Sequence, residues 1–107
     1  MILPLALLLI SPAILPLEAL PAATAEALAD DHVRLKMVYR DENMIGAMIK
    51  LLEGADRFCR GKGKATSVSP LVIAEVPKSD RAARRLGSHS LTEEYRCLPE
   101  PPPAKAP

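Results

Sequence analysis

Two cysteines, Cys59 and Cys97, constrain this chain more than any other feature. Each sits in a periodic apolar pattern, and the two periods differ. Residues 41–61, DENMIGAMIKLLEGADRFCRG, read as a helix. Stepping about 100° per residue gathers Met44, Ala55, Met48, Cys59, Leu52, Ile45 and Ile49 into one arc, with Leu51, Phe58 and Ala47 on its flank. Arg60, Glu53, Gly46, Arg57, Lys50 and Gly54 take the other side. Asp41 is placed to cap the first turn, and Gly61 to end the helix in the left-handed region. An apolar arc this wide suits a helix lying on a sheet or inside a small bundle. Residues 90–98, SLTEEYRCL, alternate instead, as a strand does: Leu91, Tyr95 and Cys97 share a face, with Glu93 as the misfit. A Cys59–Cys97 disulfide would therefore pin a helix across a strand face. In the chain-entropy picture a loop of that length contributes about 4 kcal/mol. Zinc is the competing use of two thiols, but no histidine pair accompanies them.

The disulfide needs an oxidising compartment, and the N-terminus points to one. Residues 1–25, MILPLALLLISPAILPLEALPAATA, carry an apolar run from Leu5 to Ile10 that continues from Ala13 to Leu17. Ala23-Thr24-Ala25 and Ala27-Leu28-Ala29 both have the small-x-small form of a signal-peptidase site. No lysine or arginine precedes the run, which departs from the usual leader. A retained membrane anchor is the alternative; Pro4, Pro12, Pro16 and Glu18 interrupt it, and the apolar stretches fall short of the roughly 18–20 residues of a span. The expectation is a signal peptide over 1–25, a domain over 26–98 and a disordered proline-rich tail over 99–107, with the protein periplasmic or secreted.

All 14 lysines and arginines, and all but one of the 13 acidic residues, lie beyond residue 25, so the exported part is near neutral. Phe58, Tyr39 and Tyr95 are the only aromatic residues, too few to stack bases, and nucleic acid is not an expected partner. A domain of about 80 residues buries a modest core and gains from a covalent staple.

Between leader and helix, residues 26–31 read as a mobile acidic-alanine stretch. Residues 32–40, HVRLKMVYR, alternate cleanly, with Val33, Leu35, Met37 and Tyr39 on one face. After Gly61 comes a basic turn, then a second strand over 66–76, TSVSPLVIAEV. Its apolar run at 71–74 suggests a central position, with pairing beginning after Pro70. Residues 79–87, SDRAARRLG, suit either a short helix capped by Ser79 and ended by Gly87 or a basic loop. The expected fold is α+β: β-α-β-(short α)-β, a three-stranded sheet with one amphipathic helix packed on it and one disulfide.

The sequence offers little catalytic chemistry. Gly61-Lys62-Gly63-Lys64 lacks the spacing and hydroxyl of a phosphate loop and ends a helix instead of starting one. Ser88-His89-Ser90 places a histidine between hydroxyls, but neighbours on a strand point to opposite faces. Glu93 and Glu94 diverge for the same reason, whereas paired catalytic carboxylates must converge. No enzymatic activity and no cofactor are expected. The basic loops are more suggestive: Arg57, Arg60, Lys62 and Lys64 in 57–64, and Arg81, Arg84 and Arg85 in 78–85. If they meet at one end of the sheet, they form a patch for an anionic partner, an envelope component or an acidic protein surface. One metal alternative depends on processing. A cut after Ala29 would expose Asp30-Asp31-His32, which resembles the amino-terminal copper- and nickel-binding motif of serum albumins over those three residues; a cut after Ala25 would destroy it. The sequence thus reads as a small exported binding or accessory protein. The alternatives are a Cu(II)- or Ni(II)-binding terminus and a membrane-tethered subunit with its N-terminus retained.

Overall fold

A computed structural model describes residues 14–99. Most of the expected leader's apolar run, and the expected tail from residue 100 on, lie outside the described residues. The fold is α+β, an antiparallel sheet carrying one main helix. Strands β1 (Thr24–Ala29) and β2 (His32–Tyr39) form a hairpin turning at Asp30 and Asp31. Helix α1 (Met44–Phe58) follows a 3₁₀ turn over Asp41–Asn43. Strands β3 (Lys64–Ser67) and β4 (Val72–Glu75), a short helix α2 (Arg81–Leu86) and the long strand β5 (His89–Leu98) complete the chain.

Strand β5 is the axis of the sheet. On one side it pairs with β2 from His32↔Arg96 to Tyr39↔His89. On the other it pairs with β3 near its C-terminal end, Lys64↔Leu98, and with β4 near its N-terminal end, Glu75↔His89. The order is β1-β2-β5-β3, with β4 also beside β5, so the sheet has five strands where the sequence suggested three.

Two readings change as a result. Residues 26–31 are not a loose lead-in: most of them belong to β1 and its turn. Residues 66–76 are not one central strand but an edge broken in two. Pro70 has no N–H to give, and the chain leaves the ladder around it. The gap is bridged from both sides of Glu94, whose carbonyl accepts from Val68 N–H at 3.0 Å and whose N–H donates to Ser69 Oγ at 2.9 Å. The apolar run at 71–74 reflects an uncovered edge, where Val72 and Ile73 are 52% and 53% exposed.

Strand β2 is as its alternation predicts. Val33, Leu35, Met37 and Tyr39 are buried, and they meet Leu91 and Tyr95 of β5 and Ala47, Leu51 and Ala55 of α1. Cys59, at the end of α1, is bonded to Cys97 of β5 at an S–S distance of 2.03 Å, and both are buried. The helix lies on the sheet by a different face from the one its large residues suggest. Ala47, Leu51, Gly54 and Ala55 are buried, while Ile45, Met48, Ile49 and Leu52 face out. Gly54 and Gly46, which periodicity puts on the polar side, are packing positions. A Cβ on Gly54 would stand 2.8 Å from Leu35 Cδ1, and one on Gly46 would stand 2.5 Å from Leu20 Cδ1. Small residues let the backbone approach the sheet, and that closeness selects the face. The caps also differ from expectation. Asp41 lies in the 3₁₀ turn, and Asp80, not Ser79, caps α2 by accepting from Ala83 N–H at 3.1 Å. Gly61, with φ 81°, does hold the left-handed turn after α1.

Replacing both Cys59 and Cys97 with serine should lower unfolding free energy by about 2–5 kcal/mol. Denaturant titration with and without reductant checks this: reductant should weaken the wild type by a similar amount and leave the double variant unchanged.

Candidate functional site

The sheet is four strands wide, about 19 Å at the usual strand spacing, which is room for two helices side by side. Among the described residues, α1 is the one long helix on the core face, and the segment ahead of β1 packs Leu17 and Leu20 against the same core. Helix α1 lies mainly over β2. The core face of β5 is covered, with Leu91 and Tyr95 buried, but the β4 edge beside it is not: Ile73, paired with Leu91 and projecting on the core side, is 53% exposed. The open strip is a groove of about 410 Å³. One wall is the outer stripe of α1: Ile45, 72% exposed, with Met48, Ile49 and Leu52 at 42–49%. Leu71, from the break between β3 and β4, forms the other wall.

Tyr95 and Glu93 line the floor. Glu93, the misfit of the β5 pattern, is there because its strand face opens into the groove. Its carboxylate accepts from Tyr95 Oη at 2.5 Å and from Ser67 Oγ at 2.7 Å. Burial first, and then this hydrogen bond, hold the Tyr95 phenol well above its ordinary pKa. Among the described residues, Glu93 is the one charged group lining the groove. The site is thus an apolar slot with a fixed acceptor at its base. Sequence reasoning missed it by placing the large aliphatic residues of α1 in the core. The signal available was the pair of interior glycines, Gly46 and Gly54, which admit a close backbone approach that large side chains would block.

The opposite face of the sheet is polar. Arg34 donates from Nη1 to Glu26 Oε1 at 3.0 Å and from Nη2 to Glu94 Oε2 at 3.1 Å, while His32 Nε2 lies 3.0 Å from Glu94 Oε1. The Arg34 hydrogen bond is the main reason the Glu94 carboxyl is held below its ordinary range.

The two basic loops do not converge. The 57–64 loop leads into β3 beside the C-terminal end of β5, and α2 leads into its N-terminal end, so a ten-residue strand of about 30 Å separates them. Arg57, Arg60 and Lys64 are exposed at one end, as are Arg81 and Arg85 at the other. Lys62 donates to the Asp30 carbonyl at 2.8 Å and lies 4.4 Å from the centre of the Phe58 ring. Arg84 reaches the Val76 carbonyl. These are two cationic ends, not one patch.

Asp30 and Asp31 form the β1–β2 turn, where the Asp31 carbonyl accepts from Cys97 N–H at 2.8 Å. His32 faces Glu94, so Asp30, Asp31 and His32 are structural in the intact chain. Among the described residues, no three His, Cys, Asp or Glu side chains converge as a metal site. Ser88, His89 and Asp41 do come together: Ser88 Oγ lies 3.0 Å and Asp41 Oδ1 2.8 Å from His89 Nδ1. Both meet the same ring nitrogen. A relay needs the acid on one nitrogen and the hydroxyl on the other, so this cluster does not pass a proton through the ring.

No protein family, curated protein or solved structure matches the chain.

A lowered carboxylate pKa adds stability that is present at neutral pH and lost as pH falls through the folded-state value. For Glu94 that loss lies below its ordinary value of 4.5. Thermal melts between pH 7 and pH 3 should show a shallower acid limb for Glu94→Gln than for the wild type.

Proposed function

We propose that this protein is a small exported binding module, not an enzyme, which recognises an amphipathic helix of a partner through the groove between α1 and the β3–β4 edge. The observation that carries the reading is the apolar groove itself, walled by the exposed stripe of α1 and by Leu71. An antiparallel sheet with one apolar face buries that face under a second layer, and here its β4 edge is left uncovered while α1 turns an aliphatic stripe toward the same space. A surface patch of this kind is characteristic of interaction sites. Methionines at 44 and 48, 39% and 42% exposed, add side chains that adapt to a partner's shape.

The groove sets the chemistry of its occupant. Its apolar residues recur at helical spacing to meet Ile45, Met48, Ile49 and Leu52, and it carries a lysine or arginine at the position facing Glu93. The disulfide suits an oxidising compartment, in agreement with a secreted or periplasmic site of action. Among the described residues, no helix is long and apolar enough to cross a membrane. The cationic ends of the sheet supply orientation or secondary contacts to an anionic component of the envelope.

Photo-crosslinking in the producing cell tests the reading. A crosslinker at Met48 or Leu52 should trap one discrete partner. The same group at Lys36, exposed on the opposite sheet face, should not. Equal crosslinking from both faces, or none from α1, would contradict the assignment; a crosslink to a second copy would make the partner helix α1 itself.

A further inference from the structure

The residues ahead of β2 fill a second slot, on the far side of α1 from the groove. Leu20 is 8% exposed and its Cδ1 seats against Gly46. Ala23 Cβ lies 3.5 Å from where a Cβ on Gly54 would stand. The Leu15 N–H donates to Oδ1 of the buried Asn43 at 2.9 Å. Then β1 pairs with the outer edge of β2, Ala25 opposite Leu35 and Ala27 opposite Val33, and Glu26 meets Arg34. Notch, buried amide and strand edge are all complementary to an extended segment.

This same stretch contains both small-x-small processing sites of the leader. Cutting after Ala25 removes Leu15, Leu20 and Ala23 and shortens β1; cutting after Ala29 removes β1 entirely. Either cut leaves two glycine notches open, deprives the Asn43 side chain of its donor and frees backbone groups along β2.

We propose that this slot is a strand-accepting site, held by residues 15–29 in the unprocessed chain and vacated by leader removal for an extended segment of a partner. It rests on the reading of residues 1–25 as a leader and is independent of the α1 groove. The pattern in place defines the ligand: a leucine-sized residue for the Gly46 notch, a small residue three positions on for Gly54, and a carboxylate three positions after that for Arg34, on a backbone that adds antiparallel to β2. While filled by its own segment, the site is closed to partners.

The test starts from the full folded chain. A protease recognition sequence inserted between Asp30 and Asp31, both exposed, allows the segment to be severed after folding with the disulfide intact. Native mass spectrometry should show the severed segment still bound one to one. After unfolding and refolding with an excess of a fluorescent peptide of residues 14–29, that peptide should replace it saturably, and the Leu20→Asp peptide should bind at least tenfold more weakly. If the domain loses its helical signal without the segment, recovery of that signal on adding the wild-type peptide, and not the variant, supports the proposal equally. A domain that stays folded without the segment and takes up no peptide would overturn it, as would a domain that no peptide refolds or equal binding of both peptides.

Discussion

The close approach of α1 to β2 is the contact on which the rest of the structure depends. It is made by the smallest residues of the helix. Gly54 lies against Leu35, Ala47 and Ala55 are fully buried beside it, and Gly46 receives Leu20. Two interior glycines cost the helix about 1 kcal/mol each in intrinsic propensity. Packing offsets this, because any side chain at Gly54 would hold the helix away from the core. Cys59 and Cys97 fasten the C-terminal end of α1 to β5, the strand paired with β2. Few large side chains are fully buried, Leu35, Leu51 and Leu91 among them, so tight backbone approach and a covalent tie together do what a larger core does elsewhere.

A helix seated on its small face has its large aliphatic residues left over. That single fact generates the open groove and ties the two proposed binding surfaces together. On one flank of α1, Met48 and Leu52 wall the open groove. On the other, the notch at Gly46 takes a leucine from the segment before β1. The molecule is a helix on a sheet with an open groove on one side of the helix and the segment ahead of β1 packed on the other.

Much of this was legible from residues alone. The alternation of Val33, Leu35, Met37 and Tyr39 defines β2 and its buried face without ambiguity, because period two has a single meaning on a half-buried strand. Cys59 and Cys97 were readable as a pair since each sits at the end of a clear element. The face of α1 was not, because hydropathy weights large side chains and says nothing about how near a backbone must come. Strand β1 was hidden since Thr24-Ala25-Glu26-Ala27-Leu28-Ala29 has weak strand propensity and is exposed throughout; it is a strand only because β2 offers it an edge. The split of 66–76 was half visible in Pro70, but that β5 would span both fragments is a long-range fact. The basic loops fell at opposite ends for the same reason: their separation depends on the length of β5.

The orientation of α1 can be measured directly by mild peroxide oxidation of the monomeric protein with mass-spectrometric mapping of methionine sulfoxide. Met44 and Met48 are 39% and 42% exposed, whereas Met37 is 4% exposed beneath the helix. Met44 and Met48 should oxidise rapidly, and Met37 should be protected until unfolding. Protection of Met48 to the level of Met37 would show that the aliphatic stripe of α1 lies in the core, and both the small-residue contact and the open groove would then be wrong.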